Sequence, residues 1–397
     1  MRFKLILAAA LLTTASIAQR DWSRYRLYVG DANAAKRVTS SSLGLYSEDV
    51  IIGETDVIVG PGELPQLRAL KIPFKRIGSL RKPDSYNRDI TDGEPPDYRF
   101  NYLRYDEIIA QYEIWRAQRP FLIEREQIGI SHLGRPIWVY RLNNPSATAE
   151  PIPVLIQGGI HAREWISPPV VMYLFETLMN RGLIGISDWY LLSRIDLSVV
   201  PVVNPDGYEY TWTNNRYWRK NRRSNGGGSY GVDLNRNYSV GWGGEGSSGN
   251  PDSDTYRGPF AFSEPETACL RDYLNTVNGL RGAIDYHSYG QHILYPWSYT
   301  TDPPPDQTWL HAMGEAYRLG IQNAGGLPYD NGQGSINLYI AAGVSKDYYY
   351  GEHGAAAYTL ELRDQGNYGF ELPPNQILPT QRENWAGFRS WLLALLQ

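Results

Sequence analysis

Apolar residues before residue 80 fall in short segments that predict a small α+β unit. The segments RYRLYV, TDVIVG and IPFKRI are rich in branched and aromatic residues over lengths typical of strands. Pro61-Gly62 marks a turn, and ELPQLRAL after it has the spacing of a short helix. We therefore predict one small domain over residues 19–79.

From residue 100 onward, helix-like and strand-like segments alternate. DEIIAQYEIWRAQ predicts a helix, and QIGISHLGRPIWVYRL predicts a hairpin whose turn contains Gly134. The runs PVLIQGGI, IDLSVVPVV, GAIDYH and AYTLELR are apolar enough for strands buried on both faces, and residues 168–179 predict a helix between the first two. The alternation predicts an α/β domain over residues 100–397 with a mixed or mostly parallel central sheet. At its end, ENWAGFRSWLLALLQ predicts a helix docked on the core.

A polar linker over residues 80–99 separates the two predicted domains. It contains three prolines, many charges and almost no large apolar residues. Exposed segments of this kind are preferred sites of proteolysis. The basic residues at which a trypsin-like protease would cut are Arg81, Lys82, Arg88 and Arg99. A small domain, a cleavable linker and a large domain together indicate a pro-segment that caps an active site.

The first 18 residues have the pattern of a secretory signal. Arg2 and Lys4 precede the apolar run 5–12, and Ser16-Ile17-Ala18 offers the small residues at which signal peptidases cut. No later stretch reaches about 18 consecutive apolar residues, the length that spans a membrane. The sequence therefore predicts a secreted protein without a membrane anchor.

Net charge and cysteine content limit the ligands and the covalent chemistry that the sequence predicts. A net charge of −4 gives no basic surface of the kind that binds nucleic acid. Cys269 is the only cysteine, so an intrachain disulfide is impossible. Because Cys269 lies in the helix-like run ETACLRDYL, we interpret it as a small buried apolar residue rather than a nucleophile.

Candidate metal ligands stand at or near the ends of predicted strands. HAREW follows PVLIQGGI directly and places His161 and Glu164 three residues apart, although this spacing alone recurs by chance on protein surfaces. His287 ends GAIDYH, and open α/β sheets place their functional crevice beyond the carboxyl ends of strands. Glu361 lies inside the apolar run AYTLELR, where a carboxylate is costly to bury unless it is used or paired with a base such as Arg363.

These segments resemble the funnelin metallocarboxypeptidases, the M14 family of pancreatic carboxypeptidases A and B with their pro-domains. The resemblance starts at FNY and continues in order through GRPIWV, GGIHAREWI, VVPVVNPDGYEY, WRKNR, GVDLNRNY, HSY, LELRDQG and YGFELP. It covers nearly everything after the signal segment. It implies a mixed sheet of about eight strands, flanked by helices, and one catalytic zinc ion.

The resemblance implies a role for each residue of the predicted site. His161, Glu164 and His287 would bind zinc, and Asp233 would accept the second ring proton of His161. Glu361 would be the general base for the attacking water, and Arg219 would stabilise the oxyanion. The remaining side chains would hold substrate: Asn235 and Arg236 as a clamp for the free C-terminal carboxylate, Tyr339 as a mobile cover, Arg163 on the backbone one residue further in, and Ser288 and Tyr289 beside the zinc site.

Lys346 departs from the family pattern at the position that selects the C-terminal side chain. The A-type enzymes carry an aliphatic residue there and the B-type enzymes carry aspartate. An ammonium group at the bottom of a closed pocket would attract a C-terminal Glu or Asp and repel Lys and Arg. The alternative is that Lys346 extends to solvent and leaves an A-like pocket for aromatic or aliphatic residues.

The resulting prediction is a secreted zinc carboxypeptidase precursor that acts on the C-termini of peptides and proteins as a monomer, after activation by a trypsin-like protease. Two other readings remain open. A non-catalytic peptide-binding member should lack a ligand or the base, whereas all four residues are present. A zinc amidohydrolase for small acylated amino acids would need neither the pro-segment nor the complete carboxylate clamp.

Overall fold

A computed structural model of the chain describes residues 22–46, 50, 52–60, 62–80, 95–145, 147, 150–182 and 186–397. The predicted signal segment, residues 1–18, lies outside the described residues, as do Arg81, Lys82 and Arg88 of the predicted linker. The described chain forms a small sheet with helices, followed by a large α/β unit built on a mixed sheet of eight strands. The predicted fold class is therefore confirmed.

The N-terminal unit contains a four-stranded antiparallel sheet in the order β2-β3-β1-β4. Its elements are β1 (Ser23–Val29), α1 (Ala32–Thr39), β2 (Gly44–Leu45), β3 (Gly53–Val59), α2 (Leu64–Ala69) and β4 (Phe74–Ser79). The pattern did not predict α1, because only Ala34 and Val38 of that helix are buried. Its start is set instead by Asp31, whose Oδ1 accepts a hydrogen bond from the N–H of Ala34 at 2.7 Å.

The large unit alternates helices with the strands of its central sheet, as predicted. The helices are α3 (Tyr105–Gln118), α4 (Ser167–Arg181), α5 (Ile186–Arg194), α6 (Pro205–Thr213), α7 (Pro265–Leu274), α8 (Gln307–Asn323), α9 (Gly334–Asn337), α10 (Ser345–His353) and α11 (Ile377–Leu395). The sheet strands are β5 (Ile123–Ile130), β6 (Pro136–Leu142), β7 (Ile152–Gly158), β8 (Ile195–Val200), β11 (Gly282–Ser288), β12 (His292–Tyr295), β13 (Asp330–Gln333) and β14 (Ala356–Leu362). A separate small hairpin is formed by β9 (Ser224–Gly226) and β10 (Ser229–Tyr230).

The central strands of the large sheet are parallel, and the outer ones are mostly antiparallel. The strand order is β13-β12-β14-β11-β7-β8-β6-β5, in which β14, β11, β7 and β8 run parallel to one another. Every residue of β11 and β14 is buried, because helices cover both faces. As a result, β14, β11 and β7 place their carboxyl ends side by side at one edge of the sheet, where the candidate metal ligands lie.

The C-terminal helix packs on the sheet as the apolar spacing predicted. Trp391 and Phe388 are fully buried, and the Trp391 ring fills the space beside Gly282 at the start of β11. Cys269 in α7 is a buried free thiol. Among the described helices, none combines the length and apolarity that a bilayer crossing requires.

Candidate active site

Three side chains from separate parts of the chain converge at the carboxyl edge of the sheet. His161 and Glu164 lie in the turn between β7 and α4, and His287 lies near the end of β11. Nδ1 of His161 is 2.7 Å from Glu164 Oε1 and 3.1 Å from Nδ1 of His287, which is itself 3.0 Å from Glu164 Oε2. All three side chains are buried. Burial alone would raise the pKa of Glu164, but the two imidazoles hold it below its ordinary value.

This arrangement fits a divalent metal ion. Two imidazole nitrogens that face each other at 3.1 Å cannot both carry a proton, whereas both lone pairs can bind one cation. Two histidines and a glutamate form a donor set typical of catalytic zinc. The separations of 2.7–3.1 Å are close to the edge of a zinc tetrahedron, roughly 3.3 Å for bonds of about 2.0 Å. Of the described residues, His161, Glu164 and His287 thus form a suitable zinc site.

Each candidate histidine ligand has a buried carboxylate on its other ring nitrogen. Nε2 of His161 lies 3.1 Å from Oδ1 of Asp233, as the resemblance implied. Nε2 of His287 lies 3.1 Å from Oδ2 of Asp285, a contact that the sequence analysis missed. The signal was present in GAIDYH, since residues two apart in a strand lie on the same face. Ser345 holds Asp285 in place by donating from its hydroxyl to Oδ2 at 2.6 Å.

Arg219 lies beside the candidate zinc ligands and is oriented by Asp233, the carboxylate that also contacts His161. Its Nε and Nη2 both donate to Oδ2 of Asp233 at 3.1 Å. Its Nη1 lies 3.9 Å from Glu164 Oε1, so the guanidinium borders the metal ligands. Both Arg219 and Asp233 are almost completely buried, where an ion pair is screened little by solvent.

Glu361 faces the same cavity as the candidate ligands. In the β11–β14 pair it is the register partner of His287, and parallel partners project to the same side of a sheet. It lines the cavity together with His161 and His287. The proposed alternative, an ion pair with Arg363, is not what the structure contains, because Arg363 donates to both oxygens of Glu383 at 2.8 and 2.5 Å.

The predicted carboxylate clamp lines this cavity as well. Asn235, Arg236 and Tyr339 all contribute to its wall. Asn235 is fixed at both ends, since its N–H donates to Asp233 at 2.9 Å and its side-chain oxygen accepts from the N–H of Ser345 at 2.8 Å. The guanidinium of Arg236 is anchored by the carbonyl of Gly246 at 2.7 Å and lies 5.8 Å from the centre of the Tyr339 ring.

Lys346 points into the cavity instead of extending to solvent. Only 2% of the residue is exposed, and its Nζ donates to the hydroxyl of Ser298 at 2.6 Å. Gly334 makes room for it, because a Cβ at that glycine would stand 2.7 Å from Nζ. Within the described part of the chain, no carboxylate oxygen lies within 4.0 Å of this ammonium group. Burial lowers the pKa of Lys346 while nearby Asp347 acts against that effect.

Two of the three remaining predicted substrate-binding residues contact the N-terminal unit. Arg163 donates from Nη1 to the carbonyl of Leu45, and the hydroxyl of Tyr289 donates to the carbonyl of Tyr46 at 3.1 Å. Ser288 instead uses its N–H toward Glu164 Oε2, at 3.2 Å. The N-terminal unit therefore lies across the part of the cleft where the resemblance places the substrate backbone.

A second group of potential metal ligands lies elsewhere. Donor atoms of His132, Glu264 and Glu266 come within 4.8 Å of one another. Glu264 is already compensated within the protein, since Arg223 donates to it at 2.7 Å and Asn221 at 2.8 Å. His132 lies 2.9 Å from Glu264 Oε2, so it too has a partner within the protein.

Comparisons with known proteins agree with this geometry. The sequence model of the zinc carboxypeptidase family, Peptidase_M14, matches residues 108–387. Carboxypeptidase B of Astacus astacus is 40% identical over 295 residues, which are 73% of this chain and 95% of that protein. Carboxypeptidase A1 of Bos taurus is 36% identical over 292 residues, which are 72% of this chain and 69% of that protein. The crystal structure of thrombin activatable fibrinolysis inhibitor superposes with a TM-score of 0.83 at 28% identity, covering 95% of this chain and 99% of the other.

Proposed function

This chain belongs to the zinc carboxypeptidase family, and from that premise we propose that it is a secreted, latent precursor whose active form prefers acidic C-terminal residues. The family membership makes it a zinc metallocarboxypeptidase of the A/B type that acts on peptide C-termini. The preference, the latency and the role of each residue are the proposal. The observation that carries the preference is the buried ammonium of Lys346, which has no carboxylate partner within 4.0 Å among the described residues.

His161, Glu164 and His287 would hold the zinc ion, which supplies Lewis acidity toward a water molecule and the scissile carbonyl. Glu361 takes the proton of the attacking water and passes it to the leaving amine. Its place beside His287 on the neighbouring strand keeps this carboxylate in the cavity with the metal ligands. Arg219 donates to the negative charge that develops on the carbonyl oxygen.

The free C-terminus of the substrate is bound by Arg236 and Asn235, with Tyr339 closing over it. A guanidinium suits this task because two parallel N–H groups match the two oxygens of a carboxylate. Both Asn235 and Arg236 are held by hydrogen bonds to the backbone around them, so they require little ordering when substrate binds. Such a clamp restricts the enzyme to the last peptide bond of the chain.

The preference for acidic C-terminal residues follows from the ammonium group of Lys346 in the wall of the cavity. A C-terminal Glu or Asp brings a carboxylate to Lys346 and forms a charge-assisted hydrogen bond away from solvent. A C-terminal Arg or Lys places a second cation beside the first, which costs free energy in a buried site. A Phe side chain leaves the ammonium with Ser298 as its hydrogen-bond acceptor. The alternative of an A-like pocket required Lys346 to extend to solvent, and its burial weighs against that reading.

Latency follows from the position of the N-terminal unit, which we take as the pro-domain over residues 19–79. Its Leu45 and Tyr46 carbonyls are hydrogen-bonded to Arg163 and Tyr289, two predicted substrate contacts. Cleavage in the linker, residues 80–99, would release this unit. Arg99 is the described basic residue of the linker; it is exposed and pairs locally with Asp97 at 2.8 Å, so a trypsin-like protease can reach it.

One experiment tests the proposal as a whole. The full-length chain, before and after limited trypsin treatment, is assayed on a set of peptides that differ only in a C-terminal Glu, Asp, Phe, Leu or Arg, with and without a zinc chelator. We expect chelator-sensitive release of the last residue only after trypsin, with the highest kcat/KM for Glu. A clear preference for Phe would contradict the acidic pocket, and full activity before trypsin would contradict latency.

A further inference from the structure

Asp254 of the large unit binds a backbone N–H of the N-terminal unit. Its Oδ2 accepts a hydrogen bond from the N–H of Leu45 at 2.9 Å. The carbonyl of the same residue accepts from Nη1 of Arg163. Both polar backbone groups of Leu45 are therefore bound by side chains of the large unit, one acidic and one basic.

Arg163 and Asp254 form a pair built to contact a peptide backbone. Nη1 of Arg163 lies 3.5 Å from Oδ2 of Asp254, so the donor and the acceptor stand side by side. The guanidinium of Arg163 is fully buried and lies 4.2 Å from the centre of the Phe370 ring. Its Nε and Nη2 have no hydrogen-bond partner among the described residues, which is costly for a buried cation and is typical of a site that receives a polar ligand.

The segment that occupies this pair has the conformation of a bound peptide. Gly44 and Leu45 form the short extended strand β2. The next carbonyl, that of Tyr46, accepts from the hydroxyl of Tyr289 at 3.1 Å. Three backbone groups of two successive residues are thus bound by the large unit, and none of these contacts uses a side chain of the N-terminal unit. A Cβ at Gly44 would lie 3.7 Å from Asp254 Oδ2, an ordinary contact, so a larger residue also fits there.

We propose that Asp254, paired with Arg163, is a substrate-binding residue that accepts the backbone N–H of a residue upstream of the scissile bond. The site therefore takes an extended peptide with a free N–H at that position and discriminates by length, not by side chain. In the precursor, β2 occupies the place that substrate takes in the active enzyme. This inference deepens the proposed function and depends on it.

The test compares two substrates that share their last two residues, Ala-Glu. One is an acetylated dipeptide, which is too short to reach Asp254, and the other is an acetylated hexapeptide of alanines that ends in the same pair. Full-length protein is treated with trypsin, and kcat/KM is measured for both. We expect Asp254→Ala to lower kcat/KM about tenfold on the hexapeptide, the effect of losing one hydrogen bond to a charged group, and to leave the dipeptide unchanged.

Two further variants sharpen the comparison. Asp254→Asn keeps a side-chain oxygen that accepts the N–H, so it should lose less than Asp254→Ala on the hexapeptide. Asp252→Ala removes an exposed carboxylate two residues away in the same loop and should leave kcat/KM unchanged for both substrates. An unchanged dipeptide rate also shows that the variant is folded and that its metal site is intact.

The outcomes separate this inference from the proposed function. An equal loss on both substrates, or no loss on either, overturns the role of Asp254 while the carboxypeptidase assignment stands. Wild-type protein that cleaves neither substrate after trypsin treatment overturns the proposed function, and the role of Asp254 falls with it.

Discussion

His287 and Glu361 are register partners on the parallel strands β11 and β14, so a candidate metal ligand and the candidate base project side by side from neighbouring backbones. Their separation is fixed by the hydrogen bonds of a sheet that is buried on both faces. A loop would leave such a pair free to move, whereas a central strand pair does not.

Replacing Glu361 by Gln should abolish proton transfer while preserving shape. We expect kcat to fall by about a thousandfold, within the range typical of general-base loss, with little change in KM and an unchanged zinc content. The readout is steady-state kinetics on a peptide that ends in Glu, together with metal analysis. The control is Glu352→Gln, an exposed position at the end of α10, which should behave as wild type. If Glu361→Gln loses its zinc, Glu361 is a metal ligand and not the general base.

Replacing Lys346 by Met should remove the preference for acidic residues. The buried ammonium is exchanged for an apolar side chain of similar length, so kcat/KM for a C-terminal Glu should fall about thirtyfold or more, while that for Leu rises. Replacement by Asp should move the preference toward Arg. The measurement is kcat/KM on peptides matched in all but the last residue. If Lys346→Met keeps the wild-type order of preference among the substrates, residues other than Lys346 determine that preference.

Selectivity for Glu over Leu should decline at alkaline pH. Burial lowers the pKa of Lys346, so its positive charge is lost at a lower pH than that of an ordinary lysine. Only the Glu substrate depends on this charge. The ratio of the two kcat/KM values, followed from pH 7 upward, cancels the titration of groups common to both reactions. A ratio that stays constant up to the ordinary pKa of lysine, about 10.4, would contradict the prediction.

Asp285 should support zinc binding through His287. Its Oδ2 lies 3.1 Å from the ring nitrogen that faces away from the metal position. We expect Asp285→Leu to weaken zinc affinity by about tenfold to a hundredfold, and Asp285→Asn to lose less, because an amide oxygen still accepts from the ring N–H. Zinc retention is measured by competition with a chelator, which needs no activity assay. If Asp285→Leu folds and holds zinc as tightly as wild type, Asp285 does not orient the ligand.

Tyr46 should contribute to latency. Its ring packs against Tyr289 and Phe370, with ring centres 6.4 and 5.9 Å apart, and belongs to the cluster between the two units, outside the core of the N-terminal one. Tyr46→Ala should therefore raise the activity of the uncleaved chain about tenfold or more by loosening the docked unit. After trypsin treatment the variant should match wild type. Tyr28→Ala, at an exposed tyrosine of the same unit, is the matched control.

Strong local patterns predicted the elements that build the large unit. The apolar runs that became β7, β8, β11 and β14 are long enough to identify strands buried on both faces. The helix α1 was missed because it is only eight residues long and buries only Ala34 and Val38, so no long apolar run marks it. Its position is set by contacts that are distant in sequence, such as that between Thr39 and Ser253.

The candidate site shows the same limit at the level of single residues. His161, Glu164 and His287 stand in segments whose resemblance to a known family is strong, and the structure brings them together. Asp285 lies in one of those segments too, and the alternation along the strand places it on the same face as His287, but no local pattern indicates its second contact, with Ser345. Asp254 lies in a glycine-rich loop, and its partner Leu45 is 209 residues away, a pairing that no local pattern encodes.

Lys346 lies on α10, while His287 and Glu361 lie on strands of the sheet. The groups proposed to break the bond and the group proposed to choose the substrate thus belong to separate secondary-structure elements. A single exchange at the helix position would then change which C-terminal side chain the pocket accepts, while the two strands keep their hydrolytic groups without any compensating change.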